Sequence, residues 1–203
     1  MKSEIHQDDN GSVMILDDVY SEEIYQEILN SVLNLVDNDN LQTHDSIGTA
    51  TSNGNYNSLR KGIHLDNFFH NKRGEFPYFK HHLKVMSQIT KLTPSLPFIF
   101  RGIEKTNHDV SLLGVYGKGD EYIIHNDSCT YTTIFFLSDQ HTFSGGDLIF
   151  DQMDLTIKFK KNRLIIFPSW AYHSVSRVDY PINFLPQKND YRFSIATFYG
   201  IMF

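Results

Sequence analysis

Residues 121–137 read EYIIHNDSCTYTTIFFL, a stretch in which a short apolar segment leads into a histidine, an aspartate and a longer apolar segment. Residues 130–137 are β-branched and aromatic, which is typical of a strand, and residues 121–124 have the same character. His125 and Asp127 stand between the two segments, where a rigid scaffold presents functional side chains. The pair is therefore a candidate for metal binding.

The His-x-Asp pattern occurs three times, beginning at His6, His64 and His125. Because the chain has 10 histidines in 203 residues, chance alone gives roughly one such triplet, and the context has to separate them. His6 lies in a polar amino-terminal tail, which we expect to be solvated. His64 follows an Asn-, Ser- and Gly-rich stretch and has no distal histidine in a strand context. His125 alone lies between two strand-like segments.

The segments downstream of His125 add further polar residues on predicted strands. Residues 163–169 (RLIIFPS) read as a buried strand ended by proline, and His173 lies in the predicted strand that follows. Paired glycines in residues 143–150 (FSGGDLIF) indicate a tight turn that enters another strand. Arg192 and Ser194 are two residues apart on a terminal strand, so their side chains share one face.

Taken in chain order, these motifs resemble the catalytic domain of prolyl 4-hydroxylase-like 2-oxoglutarate and Fe(II)-dependent dioxygenases. The motifs are His-x-Asp, Phe-Leu-Ser, Phe-x-Gly-Gly-x-Leu-x-Phe, Phe-Pro-Ser, His-x-Val and Arg-x-Ser, over about residues 110–200. The resemblance implies a mainly β fold, a double-stranded β-helix (cupin-like jelly roll) with supporting amino-terminal α-helices. It also implies that His125, Asp127 and His173 bind iron, while Arg192 and Ser194 bind the distal carboxylate of 2-oxoglutarate.

The chemistry of such a site asks for these residue types independently of the family. Two imidazoles and one carboxylate are a ligand set that holds Fe(II) on one face and leaves other positions open. A planar guanidinium can bind a carboxylate in a two-pronged manner, whereas a lysine offers only a point charge. The simpler interpretation of Arg192 is a strand arginine on a solvated edge.

Three further side chains are candidates for the cosubstrate pocket. Tyr116 and Tyr122 precede His125 by nine and three residues, and relatives in this family often use tyrosines here; ordinary barrel packing is the alternative. Phe136 departs from the family, because many of these hydroxylases have a tyrosine near that point. Thr132 lies on the same strand face and is expected to contribute a hydroxyl instead.

Length and composition favour one domain covering residues 1–203. A chain of this length can bury about 70% of its unfolded surface, which is enough for one jelly roll and its supporting helices. The single cysteine, Cys129, excludes an intrachain disulfide and suits a reducing compartment; we interpret it as a barrel residue. The sequence shows neither a signal peptide nor a membrane span, so we expect a cytoplasmic protein without a membrane partner.

The amino-terminal part, residues 1–95, is predicted to supply helical support and a flexible loop, and residues 96–203 the β-helix core. Apolar spacing predicts helices over 21–36 and 76–92, with His81 and His82 as surface residues on the second. Residues 37–62 are rich in Asn, Ser, Thr and Gly, with a strong turn signal at residues 53–55. Such a loop is a lid, a binding loop or a disordered segment.

Nine strands are predicted after the second helix, enough for two four-stranded sheets and an extra edge. They cover residues 98–104, 110–116, 122–125, 130–137, 148–150, 155–159, 164–167, 173–178 and 191–199.

The net charge of −6 argues against a nucleic-acid partner, because binding of nucleic acid depends on clustered Lys and Arg. Phe198 also stands where alkylated-base demethylases of the superfamily carry a second arginine. Halogenating relatives replace the carboxylate ligand with a small residue, whereas Asp127 is retained. Hydroxylation is therefore the expected reaction.

The resemblance implies a dioxygenase that uses Fe(II), 2-oxoglutarate and O2, releases succinate and CO2, and has ascorbate as a candidate reductant for its iron. We expect it to hydroxylate an unactivated C–H on a prolyl or other amino-acid residue of a peptide or protein, or on a free amino acid. The alternative is a non-catalytic, cupin-like module that binds a metal or ligand. The full set of metal ligands together with Arg192 and Ser194 favours the enzyme.

Overall fold

Two antiparallel β-sheets form the body of the molecule in a computed structural model that describes residues 2–37 and 40–202. The larger sheet has seven strands in the order β1-β2-β11-β8-β13-β6-β5, and the smaller has four in the order β10-β9-β12-β7; β3 and β4 form a separate hairpin. The strands are β1 Lys2–Asp8, β2 Gly11–Asp17, β3 Thr51–Ser52, β4 Asn55–Tyr56, β5 Lys61–His64, β6 His108–Tyr116, β7 Tyr122–His125, β8 Tyr131–Leu137, β9 Leu148–Phe150, β10 Leu155–Ile157, β11 Arg163–Pro168, β12 His173–Val175 and β13 Arg192–Gly200. The helices are α1 Glu22–Asp37, α2 Leu65–Phe69 and α3 Pro77–Leu92, with 3₁₀ segments at His70–Glu75, Thr93–Ser95, Phe98–Lys105, Asp151–Met153 and Lys188–Asp190.

The larger sheet is buried on both faces, which explains why its central strands read as continuous apolar runs. On β8, Ile134 and Phe136 face the smaller sheet, while Phe135 and Leu137 face the helices. The inner core therefore lies between the two sheets and the outer core lies under α1 and α3. This architecture confirms the predicted mainly β, double-stranded β-helix with supporting helices.

Helices α1 and α3 cover the outer face of the larger sheet, and both agree with the predicted helices to within one residue at each end. The apolar stripe of α1 includes Tyr25, Ile28 and Val32, which are fully buried. Each such side chain contributes about 1.5–3 kcal/mol to folding through burial. No helix in the described ranges combines the length and the apolar character needed to cross a bilayer.

The amino-terminal residues up to Gly11 were expected to form a solvated tail; residues 2–8 are solvent-exposed, but they form a strand, so the prediction of a tail is wrong. β1 pairs with β2, and β2 pairs with β11, so that a hairpin extends the larger sheet. β1 is an edge strand with no buried side chain, and it therefore lacks the alternation that identifies a half-buried strand. Because β1, β2 and β5 belong to the larger sheet, residues 1–95 supply more than helices and a loop. That the whole chain is one domain remains a prediction.

Residues 98–104 were predicted as a strand, but Phe98–Lys105 is a 3₁₀ helix. Its buried residues, Phe100 and Ile103, are three apart, which is the period of a 3₁₀ helix and not that of a strand. Gly102 allows this helix to approach β8 closely, because a Cβ there would lie 2.5 Å from the Tyr131 hydroxyl oxygen. The apolar composition of the segment concealed its period.

His82 was predicted to be a surface residue, but it is only 4% exposed. Its ring stacks on Tyr78, and its Nε2 lies 2.8 Å from the Tyr199 hydroxyl. Burial lowers the pKa of His82 to about 3, so the ring is neutral at neutral pH. His81, by contrast, is half-buried.

The predicted turn at residues 53–55 is confirmed by the hairpin of β3 and β4, in which Asn53 and Gly54 have positive φ. Residues 38 and 39 of the predicted 37–62 loop lie outside the described residues. The end of this loop returns to the larger sheet, because Gln42 pairs with Gly62 next to β6.

Candidate metal centre and cosubstrate pocket

Strands β7 and β12 of the smaller sheet bring the three predicted metal ligands together. His173 lies directly opposite His125 in the antiparallel pairing, and Asp127 follows β7 by two residues. One donor atom from each of the three side chains lies within 4.8 Å of the others. The Nε2 atoms of His125 and His173 are 3.9 Å and 3.7 Å from oxygens of Asp127.

Backbone carbonyls orient both imidazoles. Nδ1 of His125 lies 2.9 Å from the Ile123 carbonyl oxygen, and Nδ1 of His173 lies 3.0 Å from the Ala171 carbonyl oxygen. A carbonyl oxygen only accepts, so each Nδ1 donates and each Nε2 keeps its lone pair. A metal-binding histidine needs this arrangement.

Burial, with a smaller effect of the nearby His173, lowers the pKa of His125 to about 3. The contact between His125 and Asp127 is therefore not an ion pair at neutral pH. It reflects donor atoms that converge on one point. Two imidazoles and one carboxylate fit a divalent ion such as Fe(II).

Asp127 is itself held by a hydroxyl, because Thr132 Oγ1 donates to its Oδ2 at 2.6 Å. Thr132 also contacts Ser169, whose hydroxyl contacts Cys129. Thr132 lines the cavity as predicted, but in the structure its hydroxyl supports the carboxylate ligand. Cys129 lies behind that carboxylate among hydroxyl groups, and it does not belong to the converging donor set.

Arg192, on β13, is a fully buried cation at the inner end of the same cavity. Its Nε donates to the Gly146 carbonyl oxygen at 3.2 Å and its Nη1 donates to Ser194 Oγ at 3.0 Å. Its Cζ lies 4.4 Å from the ring centre of Tyr116 and 4.8 Å from that of Phe136. Nη2 is buried and has no hydrogen-bond partner in the described chain.

Burial lowers the pKa of Arg192 to about 10, so the guanidinium stays charged at neutral pH. A buried cation with an unused N–H requires an anionic partner, since a buried unpaired charge is costly. The carboxylate of a dicarboxylate ligand fits this position.

The paired glycines explain how the guanidinium fits. Gly145 and Gly146 both have positive φ, a conformation that other residues rarely adopt. A Cβ at Gly146 would lie 3.2 Å from Arg192 Nε, and one at Gly145 would lie 1.9 Å from the Arg177 carbonyl oxygen. The turn therefore requires two residues without side chains.

Tyr116 and Tyr122 both line the cavity, as predicted. Tyr122 stacks on His125 with ring centres 3.7 Å apart, and its hydroxyl accepts a hydrogen bond from the Ala50 N–H at 3.0 Å. Tyr116 lies against Arg192. Both rings thus pack on functional side chains, and a direct contact with a cosubstrate remains a prediction.

Two polar side chains that line the cavity were not predicted as site residues. Arg60, 6% exposed, lies just before β5 with its Cζ 4.5 Å from the Tyr122 ring centre. Its neighbours in the sequence form no motif, so only the fold reveals it. His64 was considered as a metal ligand; it lines the cavity, but the group of converging donors does not include it.

The metal centre lies between two connected spaces. The inner cavity of about 200 Å³ reaches Arg192, and an outer groove of about 800 Å³ opens beside it. Five residues line both spaces: Gly48, Tyr122, His125, Asp127 and Phe198. Since Gly48 and Ala50 form part of the wall, the 37–62 segment contributes to the pocket, which favours the binding-loop alternative.

Comparisons with known proteins match part of the chain to a family model. Residues 112–200 match the model described as the 2OG-Fe(II) oxygenase superfamily. No significant match is found among curated proteins.

Solved structures match over nearly the whole chain. The prolyl hydroxylase of Trichoplax adhaerens, solved with a hypoxia inducible factor oxygen degradation domain peptide, has a TM-score of 0.65 and 18% identity, covering 95% of this chain and 84% of that chain. A prolyl-4-hydroxylase of Pseudomonas putida has a TM-score of 0.64 and 12% identity, covering 96% and 94%. The epimerase SnoN from nogalamycin biosynthesis has a TM-score of 0.60 and 9% identity, covering 95% and 78%. These structural matches confirm the fold that the resemblance implied.

Proposed function

We propose that this chain, whose residues 112–200 match the 2OG-Fe(II) oxygenase superfamily model, is an oxygenase of the prolyl 4-hydroxylase-like group that hydroxylates an unactivated C–H and releases succinate and CO2. The proposed substrate is a prolyl or other amino-acid residue of a peptide or protein, or a free amino acid. The observation that carries the proposal is Arg192, a fully buried guanidinium with an unused Nη2 in the cavity of the converging metal ligands.

Each site residue then has a role. His125, Asp127 and His173 would hold Fe(II), which when bound supplies the activation of oxygen. Arg192 and Ser194 would bind the distal carboxylate of 2-oxoglutarate. Tyr116 and Tyr122 would form the walls beside the cosubstrate, and Thr132 would keep the Asp127 carboxylate in place through its hydrogen bond.

The outer groove is the proposed substrate site. None of its lining residues is a lysine or arginine, which argues against a nucleic-acid strand, whose backbone needs such cations. The groove opens directly at His125 and Asp127, so a substrate in it would meet the metal centre. The fold shared with prolyl hydroxylases supports an amino-acid residue as the substrate class.

The proposal is tested with purified, iron-loaded protein, 2-oxoglutarate, oxygen and ascorbate, against a panel of peptides and free amino acids. We expect succinate formation that depends on the substrate, and a product heavier by one oxygen atom. Asp127→Ala should abolish both signals, whereas Arg101→Met, at an exposed position, should leave them unchanged. Omission of ascorbate should shorten the active period, and cell fractionation tests the expected cytoplasmic location.

Iron and 2-oxoglutarate binding without any succinate across the panel would favour the cupin-like binding module. Succinate formation that survives Asp127→Ala would contradict the assigned metal site.

A further inference from the structure

Arg60 is a second buried cation in the inner cavity. Arg73, Arg163 and Arg177 each pair with an aspartate, but in the part of the chain that the structure describes Arg60 does not. Its Nη1 is buried without a hydrogen-bond partner. Folding has thus placed a charged group in the cavity and left one of its donors unused.

The contacts of Arg60 place it near both halves of the site. Its guanidinium lies over the Tyr122 ring, and the same ring stacks on the metal ligand His125. A Cβ at Gly114 would lie 3.2 Å from both Arg60 Nε and Ser194 Oγ, so both atoms lie against one small residue. Arg60 lines the inner cavity and not the outer groove. The body of a substrate would therefore lie in the groove, and only one terminal group would extend past Tyr122, which lines both spaces, to reach Arg60.

The charges in the cavity leave room for one more anion. A ferrous ion and two arginines bring four positive charges, and Asp127 and 2-oxoglutarate bring three negative ones. The distal carboxylate of 2-oxoglutarate already has Arg192 as a partner, and its oxo-acid end is expected on the metal. One positive charge, that of Arg60, is left without a counter-charge, and buried charges are normally paired.

Resting on the proposed function, we propose that Arg60 binds a carboxylate of the primary substrate, so that the enzyme acts on a carboxylate-bearing amino-acid unit. A single carboxylate balances the remaining charge and matches the planar guanidinium, whereas a phosphate would bring nearly two negative charges. The carboxylate is either the α-carboxylate of a free amino acid or the side chain of an aspartyl or glutamyl residue in a peptide. The two sources are separated by the experiment.

The test uses protein loaded with Zn(II) and saturated with 2-oxoglutarate, in which ligands bind without turnover. Thermal shift and calorimetry are measured with free amino acids and their primary amides, and with capped tripeptides centred on Glu or Gln and on Asp or Asn. At least one acid should bind about tenfold or more tightly than its amide, as expected for one charge-assisted hydrogen bond. The pair that shows the preference identifies the source of the carboxylate.

Arg60→Met should remove the preference for the acid while leaving the binding of the amide within about threefold. Arg60→Lys should reduce the preference for the acid over the amide, because lysine keeps the charge but lacks the planar guanidinium. This variant replaces Arg60→Met in the test if Arg60→Met fails to fold. Arg101→Met, at an exposed position, should keep the full preference.

Wild-type protein that binds no acid better than its amide would overturn the proposal, as would an unchanged preference in Arg60→Met. Loss of 2-oxoglutarate affinity in Arg60→Met by tenfold or more would assign Arg60 to the cosubstrate instead. Failure of the proposed function itself looks different, because 2-oxoglutarate would then fail to bind, or would bind without forming succinate with any substrate of the panel.

Discussion

Arg192→Ala should separate cosubstrate binding from metal binding. In the wild type the guanidinium is fully buried, and its Nη2 has no hydrogen-bond partner in the described chain. The substitution would leave the distal carboxylate of 2-oxoglutarate without a cationic partner in a site that is largely shielded from water. Breaking such a buried pair costs about 3–5 kcal/mol, which corresponds to roughly 10²- to 10³-fold or more in affinity.

The assay is calorimetric titration of 2-oxoglutarate into Zn(II)-loaded protein. Arg192→Ala should raise the dissociation constant by at least about a hundredfold, while the affinity for zinc stays within several-fold, because the guanidinium is not a metal ligand. The 2-oxoglutarate dissociation constant of Arg192→Lys should lie between those of the wild type and Arg192→Ala, since lysine keeps the charge but lacks the planar, two-pronged guanidinium. Ser194→Ala should cost about 1.5–3 kcal/mol, the value of one hydrogen bond to a charged group. An unchanged 2-oxoglutarate affinity in a folded Arg192→Ala protein would refute the assigned role.

Three further predictions concern the support of the site and the core. Thr132→Val should lower metal affinity by about 10- to 100-fold without unfolding the protein, because Asp127 loses its hydrogen bond; an unchanged zinc affinity would contradict this role. Gly146→Ala should destabilise the fold by about 1–3 kcal/mol in thermal or denaturant melts, because positive φ and contact with Arg192 leave no place for a Cβ; Gly74→Ala, where a Cβ would meet nothing, is the matched control. Burial lowers the pKa of His82 to about 3 in the folded protein, whereas the unfolded value is near 6.5. The contribution of neutral His82 to the free energy of unfolding is therefore present above pH 6.5 and is lost as the pH falls toward 3. Between pH 6.5 and 3, the free energy of unfolding of metal-free His82→Phe should therefore fall by less than that of the metal-free wild type. Equal decreases in the two proteins would contradict this explanation.

The sequence predicted the part of the fold that carries the candidate site, because the signals in that part are local. The strands around His125, His173 and Arg192 are short apolar runs bounded by turn residues, and the ligands lie at their ends. The sequence could not reveal the pairing that brings His173 opposite His125, since register is a property of the folded sheet. The family resemblance supplied that connection instead.

The features that were missed lack a periodic signal. β1 has no buried face, and Phe98–Lys105 hides its period of three in an apolar segment. Arg60 reaches the cavity only because the chain folds back beside Tyr122, and its sequence neighbours form no motif that would predict this. His82 could have been recognised, because it lies on the buried face of α3 with Tyr78, Val85 and Ile89.

The cross-strand position of the two histidines has a mechanical consequence. β7 is the edge strand of the smaller sheet, and it is joined there only to β12. An ion held between His125 and His173 would cross-link this edge strand to its neighbour. By mass action, a metal at 1,000 times its dissociation constant raises the free energy of unfolding by about 4 kcal/mol. The metal concentration would then determine both the fraction of molecules with a loaded site and the stability of β7, at the rim of the proposed substrate groove, against local unfolding.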